Sequence, residues 1–152
     1  AVGGAAGTYI GQRQEKYAPT QANLNQELTA LEDDLEEAKQ ARMAAQTIVD
    51  RNRRKIAELE AQYNRGETSA AQVRQEYEYM KYDYGQMLKV QRALDQTLRQ
   101  VELDIESQTR GDSAYRAKLR QEYQRLRQEK EALDSQVAEM ARIIESEEAM
   151  LG

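Results

Sequence analysis

The amino-acid sequence predicts an all-α fold, an elongated antiparallel three-helix coiled-coil bundle, and three observations support this prediction. Charged residues make up 32% of the chain and there is one proline, a composition typical of long helices. Apolar residues recur at spacings of three and four, most clearly from Val73 to Ile105, as they do on a helix that buries one side against other helices. Gly66 and Gly111 interrupt the helical segments and predict two turns.

A Gly/Ala-rich head, residues 1–19, precedes the predicted three-helix domain at 20–152. Gly3, Gly7 and Gly11 recur every fourth residue, so on a helix they would form one smooth stripe against which a second backbone can pack. We expect this stripe to mediate close helix packing or membrane association. A flexible N-terminal arm is the alternative, because glycine in a helix costs up to ~1 kcal/mol relative to alanine.

The segment GGAAGTYIGQRQEKY, residues 3–17, resembles the junction in bacterial glycine-zipper cell-envelope proteins, which are often lipoproteins. In those proteins a Gly/Ala-rich apolar segment ends in an Ile-Gly pair and runs into a helix rich in Gln, Glu and Arg. The resemblance implies a bacterial cell-envelope protein, located in the periplasm, with its N-terminus near a membrane. A cytoplasmic location is the alternative.

The first helix is predicted over about residues 20–65. Thr20 can cap its start and Pro19 disfavours helix upstream. Gly66, after Asn64 and Arg65, can adopt the left-handed conformation that ends a helix. The residues expected on the buried side of this helix are Leu24, Leu28, Leu31, Leu35, Ala38, Arg42, Ala45, Val49, Asn52, Ile56, Leu59 and Tyr63.

The second helix is predicted over about residues 69–109, where Ser69 and Gln72 form a capping box. The third is predicted over about residues 113–150, after the turn at Gly111 and a cap at Asp112 or Ser113. The buried side of the second helix is expected to carry Val73, Tyr77, Met80, Tyr84, Met87, Gln91, Leu94, Leu98, Val101 and Ile105. That of the third is expected to carry Leu119, Tyr123, Leu126, Lys130, Leu133, Val137, Met140 and Ile144.

A short internal repeat near the start of each helix favours three equivalent segments. LNQELTAL at 24–31, VRQEYEYM at 73–80 and LRQEYQRL at 119–126 align with one another. Short connections would then make neighbouring helices antiparallel. The alternative is one long helix that dimerises with a second chain as a continuous coiled coil, because the three-four spacing continues without a break across Gly66.

Three polar residues occupy otherwise apolar positions: Arg42, Gln91 and Lys130. Folding the chain at the two turns brings them to one level near the middle of the bundle. We predict a polar layer that sets the register of the helices, since buried polar side chains specify register at some cost in stability. Counter-charge would come from Asp95, Glu129 or Glu131. The alternative is that both cations extend into solvent along their aliphatic stems.

Four of the nine tyrosines lie between residues 77 and 84. Tyr79 and Tyr82 fall on the outward side of the second helix, and exposed tyrosine is enriched in binding surfaces. Gly85, in the middle of the helix, would let another backbone approach. We predict a partner-binding or self-association surface formed by Tyr79, Tyr82 and Gly85. The alternative is that the two rings lean over the third helix.

The composition argues against several functional classes. The chain has no Cys and no His, so disulfides, thiol catalysis and the commonest general base and metal ligand are excluded. No phosphate loop, nucleophile elbow or zinc spacing occurs, and no segment is strongly basic, which argues against nucleic acid as a partner. We therefore expect no enzyme activity, no catalytic or metal site, no cofactor and no small-molecule substrate.

The sequence thus predicts a non-enzymatic structural, scaffolding or tethering protein of the bacterial cell envelope. It would bind protein partners, or a second copy, through its helix faces. A soluble cytoplasmic coiled-coil adaptor or chaperone-like binding module is one alternative. A self-assembling protein that forms filaments is the other.

Overall fold

The structure, a computed structural model, describes residues 21–107 and 113–152 of the chain. These residues form three α-helices: α1 (Gln21–Asn64), α2 (Ala70–Ser107) and α3 (Ser113–Leu151). At a rise of 1.5 Å per residue the helices are about 57–66 Å long. The predicted all-α three-helix bundle is confirmed. The predictions for the N-terminal head and for the turn at Gly111 lie outside the described residues.

The turn between α1 and α2 has the hydrogen bonds of a Schellman motif. Gly66 has a φ of +73°; its N–H donates to the Tyr63 carbonyl (3.1 Å), and the Glu67 N–H donates to the Gln62 carbonyl (2.8 Å). The predicted capping box forms at Ser69 and Gln72, where each side chain accepts from the other residue's N–H at 3.2 and 3.5 Å. The alternative of a continuous helix through Gly66 is therefore wrong.

Contacts between the helices establish an up-down-up arrangement. Arg51 pairs with Asp83 across α1 and α2, and the hydroxyls of Tyr77 and Ser146 lie 2.7 Å apart across α2 and α3, so both neighbours are antiparallel. The Tyr115 hydroxyl donates to Glu27 at 3.1 Å and Arg53 pairs with Glu139 at 2.7 Å. The residue numbers of both helices rise together between these contacts, so α3 is parallel to α1. All three pairs of helices are in contact, but α3 contacts α1 and α2 more extensively than these contact each other.

One hydrophobic core runs the length of the bundle. The helices α1 and α2 contribute side chains of different size to it. The middle of α1 contributes the buried alanines Ala38, Ala41 and Ala45, whereas α2 contributes large side chains such as Met80 and Met87. In α3 the burial pattern is broader than predicted. Ile143, Gln136 and Glu122 are buried in addition to Leu119, Leu126, Leu133, Val137 and Met140. The expected positions Tyr123 and Ile144 are only partly buried.

The described part of the chain holds no helix with an uninterrupted apolar stretch of the length that crosses a membrane.

Candidate interaction surface

The outward face of α2 carries two exposed tyrosines where the sequence predicted them. The Tyr79 side chain is 59% exposed and that of Tyr82 is 62% exposed. Residues three apart lie on the same face of a helix, so the two rings are neighbours, and Gln75 Nε2 donates to the Tyr79 hydroxyl at 3.2 Å. Tyr77, on the opposite face, is completely buried.

Gly85 lies on the same outward side, one turn beyond Tyr82. Its backbone is helical, and a Cβ built on it would meet no atom within 4 Å. Packing within the bundle therefore does not require glycine at this position. Glycine inside a helix costs up to ~1 kcal/mol relative to alanine, so the stability of the bundle does not explain it either.

A shallow groove between α1 and α2 adjoins Tyr79. Two ion pairs cross it, Arg51 Nη2 to Asp83 (3.3 Å) and Lys55 Nζ to Glu76 (3.9 Å). Buried Asn52 and Met80 also line it; they lie on the core side of α1 and α2. We had not predicted this groove. The signal for it was the basic run at 51–55, which falls opposite 76–83 once the chain folds at Gly66.

This combination of side chains is suited to protein binding. Tyrosine and arginine are, with tryptophan, enriched at the energetic centres of interfaces, and Tyr79 with Arg51 supplies both at the edge of the groove. Tyrosine buries a large apolar area with few rotatable bonds and keeps a hydroxyl for hydrogen bonding. The Arg51 side chain is 60% exposed even in its ion pair with Asp83, so its guanidinium is accessible to an acidic or carbonyl group of a partner.

The three predicted polar residues lie near one level of the bundle, and each contacts a carboxylate. Arg42 on α1 is hydrogen-bonded to Glu129 on α3. Gln91 Nε2 on α2 and Lys130 Nζ on α3 both donate to Asp134, at 2.7 and 3.1 Å. All five side chains are partly buried, so they form a polar belt at the edge of the core. That this belt sets the register remains a prediction.

The counter-charges of this belt differ in part from the expected set. Glu129 pairs with Arg42, and Asp95 lies 3.9 Å from Lys130. Glu131 instead pairs with Arg127 on its own helix. The main acceptor is Asp134, one turn further along α3 than we predicted. Its position four residues after Lys130 was the available signal, because such residues are adjacent on a helix.

In the first third of α2 the pKa values of Tyr77 and Lys81 are raised. Burial raises the pKa of the Tyr77 phenol, the hydrogen bond with Ser146 opposes this, and the charge of Glu147 adds to it. Hydrogen bonds to Glu78 and then Glu147 raise the pKa of the Lys81 ammonium. Since Glu147 is on α3, both groups couple protonation to the contact of α2 with α3.

Across the other contact of α3, hydrogen bonds from Arg53 and then Arg142 lower the pKa of the Glu139 carboxyl. Arg53 lies on α1 and donates from Nη2 at 2.7 Å, while Arg142 donates from α3 itself at 2.5 Å. The carboxylate form is therefore favoured in the folded bundle. All of these groups are on the surface, so the arrangement is an ordinary inter-helix ion pair.

Gly3, Gly7 and Gly11 lie outside the described residues. Over 21–107 and 113–152, no group of three or more Asp or Glu side chains is arranged to hold a metal ion.

Comparison of the chain with protein-family models, with curated proteins and with solved structures finds no match.

Proposed function

We propose that this protein is a non-enzymatic scaffold or tether of the bacterial cell envelope, which binds protein partners through the outward face of α2. The observation that carries the proposal is the pair of tyrosines, Tyr79 and Tyr82, more than half exposed on a helix whose opposite face is fully buried. Exposed aromatic side chains that are adjacent on a rigid element are typical of binding surfaces.

The bundle supports this role because it holds the surface rigidly. Tyr77, Met80 and Met87 anchor α2 in the core, so the rings of Tyr79 and Tyr82 project from a fixed backbone. A pre-organised surface loses less conformational entropy on binding than a loop does. A helical rod about 60 Å long also suits a tether, because it separates whatever its two ends contact.

The envelope location is supported by the resemblance of residues 3–17 to glycine-zipper envelope proteins. In the proposal, Gly3, Gly7 and Gly11 pack closely against another helix or bring the N-terminus to a membrane. The α2 face is then presented away from that attachment point.

Site-specific photo-crosslinking in cells that produce the protein tests the binding surface. A photoreactive residue replaces Tyr82 in one variant and Met43 in the matched control, because Met43 is 55% exposed on α1. We expect one discrete adduct from position 82 and none from position 43. Equal adducts at both positions, or none at position 82, would contradict a binding surface on α2.

Fractionation of the same cells tests the location. We expect the full-length product in the envelope or periplasmic fraction, with a known cytoplasmic protein as the control. Recovery with the cytoplasmic control, combined with a discrete adduct at position 82, would replace the envelope tether by the cytoplasmic adaptor.

A further inference from the structure

Packing within the single chain does not account for glycine at position 85. The space beside its Cα is open, although the residue sits inside a long helix where alanine would be more stable. A partner that approaches the helix closely at this point would explain the glycine, and the partner's chemistry should match the exposed residues around it. These residues are Glu78, Tyr82 and Lys89 on the outward side of α2.

The outward side of α2 is complementary to itself when two copies lie antiparallel. Tyr82 and Gly85 are equally distant from the midpoint between Asp83 and Tyr84, and so are Glu78 and Lys89. In an antiparallel pair centred on that point, Tyr82 of each chain faces Gly85 of the other. Glu78 of each chain likewise faces Lys89 of the other. A large ring meets the smallest residue, and an acid meets a base, twice each.

We infer that this face of α2 binds the same face of a second copy, in an antiparallel and twofold-symmetric pair. The Tyr82 ring of each chain covers Gly85 of the other, and Glu78 forms an ion pair with Lys89. This inference rests on the proposed function, because it assigns the same binding surface and names a second copy as its partner.

The state of the charged groups fits this arrangement. The Glu78 side chain is 69% exposed and pairs within its own helix with Lys81, at 3.2 Å. That contact uses one carboxylate oxygen, Oε1, so the other can accept from Lys89. Lys89 is exposed and forms no ion pair with the described part of the chain. Opposite charges across the twofold axis favour this register, and like charges would oppose a parallel one.

The interface would be modest, since one helix face on each chain contributes to it. Interfaces of this size are at the weak end of specific association, so the dimer should form in a concentration-dependent equilibrium. Because the contact is isologous, it closes at two copies and does not propagate.

Sedimentation equilibrium of the purified chain, from micromolar to millimolar concentration, tests the inference. We expect the mass to rise from monomer to dimer and stop there. Gly85→Ala and Tyr82→Ala should each weaken the dimer by about tenfold or more. The control variants Met43→Ala and Leu103→Ala remove equally exposed side chains elsewhere and should leave it unchanged. A monomer at millimolar concentration, growth beyond a dimer, or equal effects of all four variants would overturn the inference.

Charge reversal tests the antiparallel register. Glu78→Lys alone and Lys89→Glu alone should each weaken the dimer, because each places like charges opposite one another. The double variant should recover it, and a mixture of the two single variants should form a heterodimer. A double variant as weak as the single ones would overturn this register.

The two proposals can fail separately. A purified chain that stays monomeric, with an adduct in cells between position 82 and a different protein, overturns the dimer and leaves the scaffold. A purified dimer that is weakened by Gly85→Ala, with no adduct from position 82 to any other protein, retains the dimer and the α2 binding surface and overturns the binding of other proteins.

Discussion

The two faces of α2 use the same residue type for opposite purposes. Tyr77 is completely buried and hydrogen-bonded to Ser146 of α3, whereas Tyr82, fewer than two turns away, is 62% exposed. Position in the helical repeat, and not the nature of the side chain, decides which tyrosine stabilises the bundle. The difference teaches that stability and binding are separable on this helix, and variants on each face can test that separation.

The largest effect is expected from the inner face. Leu94 is fully buried in the core, so Leu94→Ala removes apolar contacts and leaves a cavity. We expect the free energy of unfolding to fall by about 2–5 kcal/mol, measured by urea denaturation followed by circular dichroism. The control is Gln96→Ala, at an exposed position of the same helix, where the change should stay within about 0.5 kcal/mol.

Removing the polar belt should change the free energy of unfolding in the opposite direction. We replace Arg42, Gln91 and Lys130 by leucine, together with Glu129→Ala and Asp134→Ala, so that neither of these carboxylates is left without its partner. Asp95 loses Lys130 but keeps its ion pair with Arg99 at 2.8 Å. Replacing partly buried ionic groups by apolar ones should raise the free energy of unfolding by roughly 1–4 kcal/mol. The lower value is expected because Arg42 keeps 33% of its side-chain exposure.

The same five-residue variant should no longer hold a single helix register, since the polar belt would specify it. Broadened amide resonances or a changed sedimentation mass would report this loss. Lower stability with an unchanged register would contradict the proposed role of the belt.

Tyr77→Phe isolates one hydrogen bond of the inner face. We expect a loss of about 0.5–1.5 kcal/mol in the free energy of unfolding at neutral pH, since Ser146 keeps its bond to the Ile143 carbonyl.

The same variant gives a pH test. The pKa of Tyr77 is raised above its usual 10.0 in the folded chain, so the unfolded chain releases this proton first. The contribution of Tyr77 to the free energy of unfolding is therefore fully present below the pKa of the unfolded chain. It is lost as the pH rises through the higher pKa of the folded chain. Thermal melting between about pH 9 and pH 11 should fall less steeply for Tyr77→Phe than for the native chain. Part of the fall should remain, because the pKa of Lys81 is also raised. Equal slopes would contradict the assignment to Tyr77.

On the outer face Gly85→Ala should stabilise the monomer. The helical backbone accepts a Cβ without contact, so the gain should approach ~1 kcal/mol in urea denaturation of dilute protein. The test is the opposite sign of two effects, because the same substitution should stabilise the monomer and weaken the dimer. A destabilised monomer would show that the single chain itself needs glycine here.

The smallest effect on stability is expected for Tyr79→Ala and Tyr82→Ala. Both side chains are mostly exposed, so the free energy of unfolding should change by no more than about 0.5 kcal/mol. Tyr82→Ala should nevertheless weaken the dimer in sedimentation, and Tyr79→Ala should weaken the adduct formed from position 82. A large drop in stability would place these rings in the folded core and would contradict the comparison of the two faces.

Local signals in the sequence predicted the helices and favoured the reversal at Gly66 over a continuous helix. Glycine that can adopt positive φ, and a Ser-Gln capping box, act within a few residues and depend little on the rest of the fold. The exposure of Tyr79 and Tyr82 followed from the period of the helix alone. These features are local or periodic, so one sequence specifies them.

The contacts between helices were harder to predict. An apolar pattern that repeats every seven residues does not fix which polar side chains of two neighbouring helices meet, which is why Asp134 was missed as the main acceptor. The same pattern does not determine on which side of the first hairpin the third helix lies. The flanks of α1 and α2 that meet, and hence the ion pairs of Arg51 and Lys55, depend on that choice.

The dominant contacts of α3 have a consequence for synthesis on the ribosome. α1 and α2 emerge first, and they contact each other far less than either contacts α3. Until residues 113–151 leave the exit tunnel, the nascent hairpin displays the apolar sides of both helices to the cytosol. This interval, when a chaperone or a second nascent chain could occupy the place of α3, is when the protein is most exposed to misassembly.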